Sequence, residues 1–145
     1  MKLSFNFISI IILCMGISLI PGNYNLLSAE ESFVQVTLKD KTTVKFEFKS
    51  FSLNWTDNVV IDEFSCEPQP FDLKEVEEVY VMALKENPCG NVDKDGRLFD
   101  VHVVNNPPLM GFIELSGTSL SGIILGTGEE KSIPYSDVKK IRFIR

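Results

Sequence analysis

The chain has 145 residues, 44% of them hydrophobic, with 20 Asp and Glu against 14 Lys and Arg and a formal net charge of −6. That acidic balance argues against a nucleic-acid partner. One histidine and no glycine-rich phosphate loop argue against most metal-hydrolase and nucleotide-dependent chemistries.

Residues 1–29 read as a signal peptide. Lys2 supplies the positive charge, Leu3 to Ile20 the apolar run, Pro21-Gly22 the helix break, and Leu27-Ser28-Ala29 the cleavage region before Glu30. The competing reading is an uncleaved membrane anchor through residues 3–20, just long enough for a thinned bilayer. A lipoprotein reading fails because Leu13, not a small residue, precedes Cys14. Every Asp and Glu lies after Ala29, whereas Lys2 lies before it, so the exported part is more acidic than the whole chain. Cleavage removes Cys14 and leaves Cys66 and Cys89. An even pair in an oxidising compartment, both in turn-like Pro/Gly surroundings, predicts a disulfide.

From Phe33 the chain alternates. Val34, Val36 and Leu38 share one face, a polar turn follows at Asp40 to Thr43, and alternation resumes through Val44, Phe46 and Phe48. This predicts a hairpin with one buried face. Further strands are expected at Phe51 to Trp55, Val59 to Phe64 and Val76 to Leu84, the last also fitting a helical face through Leu73, Val76, Val79, Tyr80 and Ala83.

An internal repeat favours the strand. A shift of 65 places Val36, Leu38, Val44 and Phe48 on Val101, Val103, Leu109 and Ile113, with Asp40 to Thr43 on Asn105 to Pro108. Near the end of each copy a shift of 62 sets Phe71 to Val81 on Ile133 to Phe143. Because Lys139 to Arg145 alternates through Ile141 and Phe143, Glu77 to Leu84 is read as a strand entered through one short helical turn. Each copy, at about 50 residues, is too small to bury a sufficient core alone. The expected organisation is all-β: a signal peptide at 1–29, repeat 1 at 30–84, a connecting loop at 85–97 and repeat 2 at 98–145, the repeats packed as one domain.

The second copy, and more distantly the first, resembles the small Sm-like or SH3-like β-barrel repeats of exported bacterial proteins of unknown function. The likeness is carried by Val-x-Leu, a turn, Gly111, the strand Gly122-Ile-Ile-Leu125 and Ile133-Pro-Tyr-Ser-Asp-Val-Lys-Lys-Ile141. The family pattern has glycine at the hairpin turn and early in the next strand. Lys41 and Phe46 hold those places in the first copy, Asn106 and Gly111 in the second. The resemblance implies small barrel-like β-meanders and no activity. The Arg-Gly signature of the RNA-binding members is absent.

Asn91-Val-Asp-Lys-Asp-Gly96 has the donor spacing of a calcium loop, with Asn91, Asp93 and Asp95 as candidate ligands, although His102 stands where a bidentate glutamate belongs. A surface turn explains the same residues. His102 has no partner histidines with which to build a zinc site and no placed nucleophile for a triad. Asp62, Glu63, Glu67, Asp72, Glu75, Glu77 and Glu78 are the candidates for a hydrolytic carboxylate pair, against a plain solvated face. Trp55, inside the sequon Asn54-Trp55-Thr56, is either a partner contact or a cap on the core. Lys139 and Arg142, on the alternating C-terminal strand, suggest a protected edge or a docking strand for an acidic partner.

The sequence is therefore read as an exported, non-enzymatic binding or assembly module. It needs no cofactor, acts on an unknown protein partner or on itself, and meets the membrane only if the leader stays uncleaved. A weak calcium-responsive domain is the alternative and a carboxylate hydrolase the third reading.

Overall fold

A computed structural model of the chain describes residues 31–90 and 95–145. The segment expected to be a signal peptide, and Asn91 and Asp93 of the calcium-like loop, lie outside these residues, as does the side chain of Asp95. Among the described residues, no helix is long and apolar enough to cross a membrane.

Among the described residues ten strands follow one another. They are β1 (Phe33–Leu38), β2 (Thr43–Glu47), β3 (Val59–Asp62), β4 (Pro68–Pro70), β5 (Val76–Glu86), β6 (Asp95–Val103), β7 (Leu109–Phe112), β8 (Ser119–Ile123), β9 (Glu130–Pro134) and β10 (Val138–Ile144). Single 3₁₀ turns, Leu73–Glu75 and Tyr135–Asp137, lead into β5 and β10. The stretch that fitted both a strand and a helical face is thus a strand entered through one helical turn, and the protein is all-β.

Eight strands form one antiparallel sheet in the order β2-β1-β10-β5-β6-β7-β3-β4, and β8 and β9 form a separate pair. The sheets do not close into a barrel. Isolated bridges, Phe46↔Ile124 and Ser52↔Ser121, hold β8 against the end of β2 and the following segment. Alternation decides which face is buried: Val34, Val36, Val79, Val101, Val103 and Ile141 point inward and join one core with Phe46, Phe99, Leu120 and Tyr135.

Two sets of pairings build the sheet around its centre. Val36 faces Ile141 and Val44 on its two sides, while Val101 faces Val79 and Leu109. Register shifts fall between Thr37 and Leu38 in one set and between Val76 and Glu78 in the other. Val60 pairs with Gln69 in β3–β4, and Gly122 with Lys131 in β8–β9. At the middle of the sheet Ile141↔Val79 is flanked by Lys140↔Tyr80 and Arg142↔Glu78.

The barrel-like repeats implied by the resemblance are corrected by this open sheet, whose end strands β2 and β4 do not pair, and three other expectations are corrected with them. The connecting loop is shorter than 85–97, because Leu84, Lys85 and Glu86 pair with Arg97, Gly96 and Asp95 in an outward extension of the β5–β6 ribbon. Phe51 to Trp55 is not a continuous strand. It is held by bridges at Ser52 and Trp55, with Asn54 at a positive φ of 53°. The C-terminal strand is not an edge, since β10 lies between β1 and β5. Gly111 has a steric cause: a Cβ there would stand 2.0 Å from the Ile61 carbonyl oxygen, so only glycine lets β7 approach β3.

Candidate functional site

The β3–β4 hairpin builds the most distinctive surface. Its turn is tied down locally, because the Asp62 carboxylate accepts from the backbone N–H groups of Phe64 (2.9 Å) and Ser65 (2.8 Å). Those two N–H groups hold the Asp62 carboxyl below the usual carboxylate range. Cys66 sits in this turn at a positive φ of 58° and is bonded to Cys89, Cα to Cα 5.4 Å, which fastens the hairpin tip to the loop after β5. The disulfide expected from the cysteine count is present.

With its tip held, the turn presents Phe64 to solvent at 85% exposure. Beside it opens a groove of about 820 Å³. One wall is the hairpin and its continuation, with Phe64, Pro68, Pro70 and Phe71; the other is the β6–β7 turn, with Pro107, Pro108 and Met110. Asp62, Glu63, Asp72 and Glu75 line the same groove, and no Lys, Arg or His does. Glu63 is matched by Lys85 from β5, Nζ to Oε2 2.6 Å, and that ammonium also stands 5.8 Å from the Phe64 ring. Asp72 accepts from Lys74 N–H and caps the turn into β5. Glu75 makes no side-chain hydrogen bond or ion pair among the described residues.

A second cluster occupies the outer face at the centre of the sheet. Lys140 Nζ and Arg142 Nε each lie 3.5 Å from Glu78 Oε1, and the Tyr80 hydroxyl donates to Glu78 Oε2 at 3.0 Å. Partial burial alone would push the Glu78 carboxyl up, but the Tyr80 hydroxyl, Lys140 and Arg142 together hold it below its ordinary value. His102 Nε2 is 3.1 Å from Asp100 Oδ2, and its ring packs 5.1 Å from that of Tyr80. The groups satisfy one another, except for Asp100 Oδ1, which is buried without a partner. Such a set orders a sheet face and supplies no nucleophile.

The sequence candidates fall apart in space. Trp55 is half-buried and packs on the core, with its ring against Phe71 (5.9 Å) and Phe99 (5.6 Å) and its Nε1 buried. Arg142 belongs to the outer-face cluster. Lys139 is exposed and skipped by the ladder, where Lys140 and Val138 pair with Thr37 and Leu38. Of the carboxylates, Asp62, Glu63, Asp72 and Glu75 gather at the groove and Glu78 lies on the outer face. Among the described residues, no group of three or more His, Cys, Asp or Glu is placed to hold a metal ion. A general acid needs a raised carboxyl pKa, and that of Asp62 is lowered. The groove suits binding chemistry: carboxylates aligned with aromatic and proline surface.

Sequence reasoning missed this groove because its walls come from residues about 40 positions apart, brought together only when β3 pairs with β7. Pro107-Pro108 and Phe64 were visible but carried no signal singly. Comparison with family models, curated proteins and solved structures returned no match for this chain.

Proposed function

We propose that the protein is an exported, non-enzymatic binding module made of two related β halves, and that its binding site is the groove beside Phe64. The observation that carries this reading is the groove itself, a concave surface with a large exposed aromatic at its lip. Concavity with apolar walls and a few converging polar groups is the usual form of a recognition site, and a rigid anchor residue lowers the entropic cost of binding. The disulfide fits an oxidising compartment.

The two-half organisation draws on the ladders. Val36, Val44 and Ile141 relate to Val101, Leu109 and Val79 by the same offsets of 65 and 62 that align the sequence, and the register shifts correspond. The halves meet where Ile141 faces Val79, and they exchange hairpins: β3–β4 docks on β7, and β8 on the end of β2. The groove therefore belongs to neither half alone.

Titrating the labelled protein with a neutral capped peptide such as acetyl-Leu-Ser-Leu-amide tests the site. The expected result is amide shift changes concentrated at Phe64, Phe71, Leu109 and Met110. Changes scattered over the surface, or centred on Tyr80 and His102, would overturn it.

A further inference from the structure

We infer that the groove receives a cationic, apolar-flanked peptide segment of a partner protein, held by side chains and not by strand addition; this rests on the groove being the binding site.

The first argument is the edge itself. Phe71 N–H donates inward to Asn58 O, and Glu67 O accepts inward from Asp62 N–H, so residues 67, 69 and 71 face β3. The outward-facing amide positions of β4 are then Pro68 and Pro70, neither of which has an N–H. A partner strand would find no donors along this edge.

The second is charge. The lining carries four carboxylates, of which Glu63 is already paired with Lys85 at the rim, and no lysine, arginine or histidine of its own. At this very lip the chain already shows what the surface accepts, because the Lys85 ammonium lies 2.6 Å from Glu63 Oε2 and 5.8 Å from the Phe64 ring. Asp72 and Glu75, further along, are exposed. An alkyl-ammonium or guanidinium side chain with apolar neighbours satisfies both the acids and the proline and aromatic walls, whereas an anionic lipid surface or acidic peptide would be repelled.

The third compares the corresponding positions of the other half. Where the groove has Asp62, Glu63, Phe64 and Asp72, the offset of 62 gives Ile124, Leu125, Gly126 and Pro134, while Glu75 keeps an acid at its equivalent, Asp137. Where it has Asn106, Met110 and Gln69, the offsets give Lys41, Lys45 and Lys131. The same backbone plan is thus built without three of the four acids, so the plan does not require them. The acids, prolines and exposed phenylalanine are a local feature of one position, as a recognition surface is.

Three fluorescently tagged twelve-residue peptides, alternating Lys with Leu, Ser with Leu and Glu with Leu, test the proposal by anisotropy with the intact exported protein. The Lys/Leu peptide should bind about tenfold or more tighter than the Glu/Leu peptide and weaken as salt rises, since exposed charge attraction is screened. Phe64→Ser and Glu75→Lys, both at exposed positions, should each reduce its affinity about tenfold, while Lys131→Glu on the other half should not. N-methylating the peptide backbone should leave affinity unchanged. Equal affinity for all three peptides, with amide shifts still at the groove, would overturn the charge proposal and leave the binding site standing. Strong loss on N-methylation would overturn side-chain recognition in favour of strand addition. Absence of groove shifts with every peptide would overturn both readings.

Discussion

Replacing Phe99 with alanine lowers the unfolding free energy by about 3–5 kcal/mol, the usual cost of emptying a phenylalanine site in a packed core. Phe99 is fully buried, and its ring packs edge-on against Trp55 at 5.6 Å and Tyr135 at 5.5 Å. Those neighbours cannot close the gap. Tyr135 is anchored by its hydroxyl donating to the Leu53 carbonyl, and burial pushes that phenol far above its ordinary value. Trp55 is held by the bridge to Leu115. A domain stable by about 5–15 kcal/mol loses a large share of its margin. Urea unfolding of Phe99→Ala against the parent measures it. Phe99→Leu should lose much less, because a side chain of similar volume keeps the cavity filled. Equal losses for the two substitutions would mean that cavity formation is not the cause.

Removing the disulfide is the second large effect. Cys66 and Cys89 are 23 residues apart, and opening a loop of this size returns denatured-state entropy worth about 3 kcal/mol in the chain-entropy description. Cys66→Ser with Cys89→Ser should therefore destabilise the protein by about that amount. Reductant should lower the parent to the level of the variant and leave the variant unchanged. The consequence for the groove is specific: β4 is a three-residue strand at the end of the sheet, and the bridge fastens the hairpin that carries it. Short edge elements open first when a tether is lost. Protection against amide exchange should drop at Ile61, Asp62 and Gln69 while Val79 and Val101 in the central strands keep theirs. A uniform fall across all strands would show that the bridge stabilises only globally.

Much of the fold is legible where one physical signal dominates. Val34 and Val36 alternate with Gln35 and Thr37 because one face of β1 meets the core, and the polar turn after Leu38 ends the strand. The strand assignment of Val76 to Leu84 came from the parallel with Lys139 to Arg145, and the 3₁₀ turn capped by Asp72 marks its start. Alternation reports the face of a strand and says nothing of its neighbours, so the basic and apolar residues of β10 resembled an edge although the strand is central. Lys140 and Arg142 there face outward onto Glu78. Lys85 and Glu86 looked like a loop because the ribbon extends beyond the core and is exposed on both faces. The groove was illegible for a third reason: it depends on Gly111 admitting β3 beside β7, a long-range packing event with no local signature.

The most direct test of the groove is photo-crosslinking with the Lys/Leu peptide carrying a diazirine leucine, followed by peptide mapping. The account predicts adducts on the segments around Phe64 to Phe71 and Asn106 to Met110. Adducts confined to the outer face, at Tyr80, His102 or Arg142, would contradict it.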